Sequence, residues 1–169
     1  MMLELALFAV AMTAIWQVRR RQLRSLKVQE IFVRRFAEGV LAWRSKDGIP
    51  EEAKEAIEAL VSLPITQKAT RAFALLIIRR QLPPPRLREN PFWLARQQLS
   101  AEQREAFDWL LMTYFDAMTY SDWLTGGFIR RVRFGGLSPE TRAEVAIETV
   151  FSRVRVTLFR SPFKLSYPS

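Results

Sequence analysis

From Met1 to Val18 the chain carries clearly polar side chains only at Glu4, Thr13 and Gln17, and then three arginines follow at 19–21. Coiled into a helix, those three polar positions do not share a face. The segment is therefore apolar nearly all round, whereas a helix lying in a membrane interface needs a broad polar face. As a helix, Leu5 to Val18 covers about 21 Å at roughly 1.5 Å per residue. Adding Met1–Glu4 brings it to about 27 Å, against a hydrocarbon core of about 30 Å.

Three fates compete for this segment. A secretory signal peptide places its positive charge before the apolar run, but the early charge here is Glu4 and the basic cluster comes after. A transit peptide would be basic and polar from its start. Burial in a core, or in a large assembly within which the chain is soluble, is the second reading. The leading expectation is a membrane anchor, residues 1–18, with Leu5, Leu7, Phe8, Val10, Ile15 and Trp16 in lipid. It is read as a single pass, with Arg19–Arg21 snorkelling to the surface. The positive-inside rule then places residues 19–169 on the cytoplasmic side.

Helical periodicity continues to about Arg44, with Leu26, Val33, Ala37, Val40 and Leu41 expected on the apolar face. Asp47-Gly48 marks a turn. Pro50 occupies an expected first helical position ahead of Glu51 and Glu52, and Ala53, Ala56, Ile57, Leu60 and Val61 repeat at amphipathic spacing. Pro64 ends that helix, and Thr66 caps a third through Phe73, Leu76, Ile77 and Leu82. Its apolar run Ala72–Ile78 reads as deeply buried. Residues 83–90, opened by Pro83-Pro84-Pro85, form a stiff connector between a 19–82 segment and a 91–160 segment. Asn90-Pro91 restarts a helix.

Ser100 with Gln103 has the form of a capping box, so a helix is expected from Ala101, running to about Leu124 and closed by Gly126 and Gly127 as C-cap glycines. Glu105, Asp108, Asp116 and Asp122 fall within about 120° on that helix. This acidic stripe reads three ways: an exposed face, a surface docked on the chain's own or a neighbour's arginines, or a divalent-metal site. Two turns separate Asp108 from Asp116, roughly 12 Å, which weakens the metal reading.

In FIRRVRF, an extended chain sets Arg131 and Arg133 on one side and Val132 and Phe134 on the other. A connector, a short strand, or a partner- or phosphate-gripping segment built on Phe128, Arg130, Arg131, Arg133 and Phe134 all fit. Ser138-Pro139-Glu140 starts a last helix through Ala143, Ile147, Val150, Phe151 and Val154. Residues 154–159 alternate like a strand and could pair with 128–134. The tail, 161–169, is expected to be irregular, and no internal repeat is apparent. The fold class expected is all-α: a long N-terminal helix, transmembrane in its opening turns, then a bundle of about five shorter helices, with a small two-stranded element as the structural alternative.

Composition narrows function by subtraction. The 169 residues contain no cysteine and no histidine, which excludes disulfides, Cys or His catalysis, Ser-His-Asp triads and Cys/His zinc sites. An enzyme would have to work through Asp108, Asp116 or a lysine, so none is expected, and no cofactor is implied. Twelve Phe and five Trp give more aromatic surface than a short bundle absorbs. The net charge of +9 is carried mostly by arginine.

That charge is blocked along the chain. Nine basic and two acidic side chains occupy 19–46, one basic and five acidic 47–63, six and one 66–90, and two and five 91–127. Arg19, Arg20, Arg21, Arg24 and Lys27 suit lipid headgroups or phosphate. The expectation is a non-enzymatic, membrane-anchored accessory or scaffold protein, with protein partners in a membrane complex and anionic lipid as a further contact. The alternative is a nucleic-acid-binding structural component of a ribonucleoprotein particle or virion.

Overall fold

The computed structural model describes residues 2–78 and 90–134, and within them every element is helical. Six helices follow in order: α1 (Met2–Arg44), α2 (Glu51–Val61), α3 (Gln67–Ile78), α4 (Pro91–Gln98), α5 (Ala101–Tyr120) and α6 (Trp123–Phe134). The all-α class and the long first helix are as expected. The last helix, the 154–159 strand candidate and most of the 83–90 connector lie outside the described residues.

α1 and α5 form the spine, antiparallel, and aromatic side chains set their register. Trp43 meets Phe107 at a centroid distance of 5.8 Å, Phe36 meets Tyr114 edge-on at 5.5 Å, and Phe32 stacks on Tyr120 at 5.5 Å. Such pairs add roughly 0.5–1.5 kcal/mol each beyond area burial. Gly39 lets the helices close, since a Cβ there would lie 2.8 Å from Leu110 Cδ2 and overlap the Trp109 ring.

This register corrects the expected face of α1. Of the expected residues Val40 is buried and Leu26 half-buried, and Phe36 and Trp43 are buried beside them, while Val33, Ala37 and Leu41 point to solvent, Leu41 at 64% exposure. Both series have helical spacing. Only the one that carries Phe36 and Trp43, with Val40 between them, faces the rings of α5.

α2 and α4 cover the end of the spine away from the N-terminus. Ala53, Ala56, Ile57, Leu60, Phe92, Ala95 and Leu99 join Phe36, Trp43, Phe107 and Leu111 in one core. Val61, expected on this face, is exposed. Local chemistry explains the helix starts. Pro50 stands just before α2 in an extended conformation, so the helix begins one residue later than expected. Asn90 Oδ1 accepts from the Phe92 amide at 3.0 Å with Pro91 in the first turn. Ser100 and Gln103 complete a reciprocal capping box. Gln103 Nε2 also donates to Gly48 O at 3.1 Å, tying α5 to the turn that Gly48 makes at φ 72°.

At the opposite end the chain departs from expectation. α5 stops at Tyr120, and Gly126 and Gly127 lie inside α6 rather than after a helix end. Asp122 is the reason: its Oδ1 accepts from the amides of Leu124 and Thr125, both at 3.1 Å, and so caps a new helix. Gly126 then presses on the Thr119 carbonyl with no room for a side chain. The extended form considered for 128–134 is thereby overturned, since these residues complete α6. α3 packs beside this elbow with Ala74 buried, yet Ala72 and Leu75 are exposed, against the expected deep burial of the whole run.

Candidate membrane and partner surface

Tertiary contact on α1 begins at the elbow. Gln22 bridges it on both sides, donating from Nε2 to Ser121 O at 3.0 Å and accepting at Oε1 from the Trp123 amide at 3.1 Å. Ser25 Oγ donates to Tyr120 O at 2.7 Å. Ahead of Gln22, every residue from Glu4 to Arg21 is exposed. The first turns of α1 thus form an arm reaching beyond the folded helices.

Eight large apolar side chains stand bare on it: Leu5, Leu7, Phe8, Val10, Met12, Ile15, Trp16 and Val18, between 50% and 68% exposed. The Thr13 hydroxyl is satisfied within the helix, donating to Ala9 O at 2.8 Å. The single-pass expectation does not carry over to this structure. Among the described residues no helix is long and apolar enough to cross a membrane. Glu4 and Arg19 bracket an apolar stretch of about 21 Å, well short of the roughly 30 Å core.

The basic residues after the arm keep their charges outward. Arg19, Arg20, Arg21, Arg24 and Lys27 are exposed. The ion pairs of the described residues use other cations: Arg44 with Glu58, Lys46 with Glu102, Lys54 with Glu51, Arg71 with Asp122 and Arg96 with Asp108. Two of the arm-base arginines instead lie over tryptophan, Arg20 at 5.1 Å from the Trp16 ring and Arg21 at 5.4 Å from Trp123.

The acidic stripe comes apart. With α5 ending at Tyr120, Asp122 belongs to the next helix, and its side chain is only 4% exposed. Burial pushes its carboxyl up, but the Arg71 guanidinium at 2.6 Å and the Thr125 amide outweigh this and hold it below its ordinary value. Asp108 receives both arms of Arg96, each at 2.7 Å, joining α4 to α5. Asp116 is half-buried and Glu105 is exposed. Asp108 and Asp122 therefore dock arginines of the same chain. Among the described residues no group of three or more acidic side chains is placed to hold a metal.

On α6, Phe128 and Arg131 are exposed, whereas Arg130 folds over the Tyr120 ring at 3.9 Å. Arg133 and Phe134 complete the helix, so the two-sided alternation expected of this segment does not form. Leu124, Phe128 and Val132 instead share a helical face, exposed at 62%, 39% and 54%.

Sequence reasoning missed Trp123 and Leu124 as surface residues. Ser121-Asp122 ahead of them was a legible cap signal inside an otherwise apolar run. No protein-family model, no curated protein and no solved structure matches this chain.

Proposed function

We propose that this chain is a non-enzymatic, membrane-anchored accessory protein whose α1 arm sits in lipid and whose helical domain is presented to protein partners. The observation that carries this reading is the bare arm, from Glu4 to Arg21, with eight large apolar side chains half to two-thirds exposed. Moving a large apolar side chain out of water is worth about 1.5–3 kcal/mol, so even half that gain over eight side chains reaches on the order of 10 kcal/mol. Arginines at the surface of an anionic leaflet add about 1 kcal/mol each. The arm therefore decides whether the chain binds a membrane, and the arginines decide which membrane. Such a leaflet is the cytoplasmic one, which agrees with the basic flank.

The nucleic-acid reading uses the same exposed arginines and needs a large assembly to cover the apolar arm. Protein partners have their own candidate surface in the apolar side chains bare on the domain, among them Leu41, Trp109, Phe128 and Val132.

Fractionation of cells expressing the full chain tests the proposal. Retention in the membrane pellet through a high-salt wash and then a carbonate wash is expected, and deletion of residues 2–18 should move the chain to the supernatant. Release of the full chain by salt alone would overturn the anchor reading and move the weight to the arginines.

A further inference from the structure

The arm and the elbow meet at one level of the molecule. α5 runs antiparallel to α1, so its C-terminal end, the Ser121–Asp122 turn and the first turn of α6 stand opposite residues 21–25, where the arm begins. Gln22 fixes this placement with its two hydrogen bonds, so the first turn of α6 cannot leave the arm base without breaking them. Trp123 lies there under Arg21, at 5.4 Å, and one turn towards the arm Arg20 covers Trp16 at 5.1 Å. Arg24 is exposed on the next turn, and Leu124 projects into solvent at 62% exposure.

Two tryptophans, each beside an arginine, and an exposed leucine next in sequence to one of them, at the foot of an apolar arm, have the composition of a membrane interface. Tryptophan prefers the headgroup level because its ring is apolar and its N–H polar. None of Arg20, Arg21 and Arg24 takes part in the ion pairs of the described residues, so their charge is free for an external anion.

We infer that Trp16, Arg20, Arg21, Arg24, Trp123 and Leu124 form a collar that seats the helical domain on anionic phospholipid headgroups. The occupant is a lipid surface, argued from charge complementarity and from continuity with the arm. The inference rests on the proposed function, since the arm brings the collar to the membrane. It goes further in making α6 a second membrane contact, so the domain stands in one orientation on the bilayer rather than swinging from a tether.

The chain has no cysteine, so single-cysteine reporters need no background removal. A polarity-sensitive dye is attached to Leu124→Cys, to Val10→Cys in the arm, and to Leu41→Cys, an equally exposed leucine about 30 Å further along α1 from Arg21. Each full-length chain is mixed with vesicles of phosphatidylcholine alone, or of phosphatidylcholine with about one-third phosphatidylglycerol. On the mixed vesicles the dyes at 10 and 124 should shift to the blue while that at 41 stays aqueous.

Replacing Arg20, Arg21 and Arg24 by Gln should weaken partition into the mixed vesicles about fivefold per arginine, and leave binding to neutral vesicles unchanged. A blue shift at 10 with an aqueous signal at 124 would overturn the collar and keep the arm. An aqueous signal at 10 would overturn the arm reading itself. Equal shifts at 124 and 41 would contradict a fixed orientation.

Discussion

A methyl group on Gly126 would have to occupy the space of the Thr119 carbonyl oxygen, an atom held by the backbone of α5. Gly126→Ala therefore forces α6 away from α5, at a cost of about 3 kcal/mol, and thermal unfolding should show a loss of roughly 6–12 °C. Gly39→Ala is a milder case, because the atoms it meets are the ends of the Trp109 and Leu110 side chains, and Trp109 is half-exposed. The same melt should register about 1 kcal/mol there.

Asp122 is the residue through which pH acts on the elbow. Its carboxyl is held below its ordinary value, so its contribution is present above the unfolded value of about 3.9 and is lost as pH falls through the folded value. Asp122→Asn should be less stable than the parent at pH 7 by about 2 kcal/mol, discounted for the exposure of Arg71, and should show a shallower loss below about pH 4. Arg44 and Lys46 also lower the carboxyls of Glu58 and Glu102, but these pairs are exposed. Salt near 1 M should weaken those two and spare Asp122.

Helix starts in this chain are written locally, and helix partners are not. Asn90-Pro91, Ser100 with Gln103, and Thr66, whose Oγ1 accepts from the Ala69 amide at 3.2 Å, each satisfy amides within three residues, so spacing alone revealed them. Ser100→Ala should cost about 1 kcal/mol, measured by denaturant unfolding, with the helical content of the folded state unchanged.

The buried face of α1 was legible at Val40 but not as a whole, because Val33, Ala37 and Leu41 have the same helical period as Phe36, Val40 and Trp43. The choice between them was made by the rings α5 presents. Gly126-Gly127 misled for a related reason. A glycine pair after an apolar run resembles a helix end, and its use against the Thr119 carbonyl appears only once α6 folds back. Of the candidate site, the anchor residues and the arginines after them were readable as composition. The elbow that brings Trp123 and Leu124 beside Arg21 depends on a hydrogen-bonded contact across about a hundred residues, from Gln22 to Ser121 and Trp123.

At the scale of the whole molecule, two regions of α1 obey different rules. From Gln22 to Arg44 the helix is held by α5, and its amides should open only when the core does. From Leu5 to Arg20 every residue is exposed, and a helix without tertiary packing draws little stability from propensity alone. Lipid is expected to supply the missing contacts.

Amide hydrogen exchange of the full chain, with and without vesicles containing about one-third phosphatidylglycerol, tests this most directly. Protection over residues 4–20 should rise by about tenfold or more when vesicles are added, with residues 36–44 protected equally in both. Protection of 4–20 that is the same with and without vesicles, whether high or low, would contradict the account.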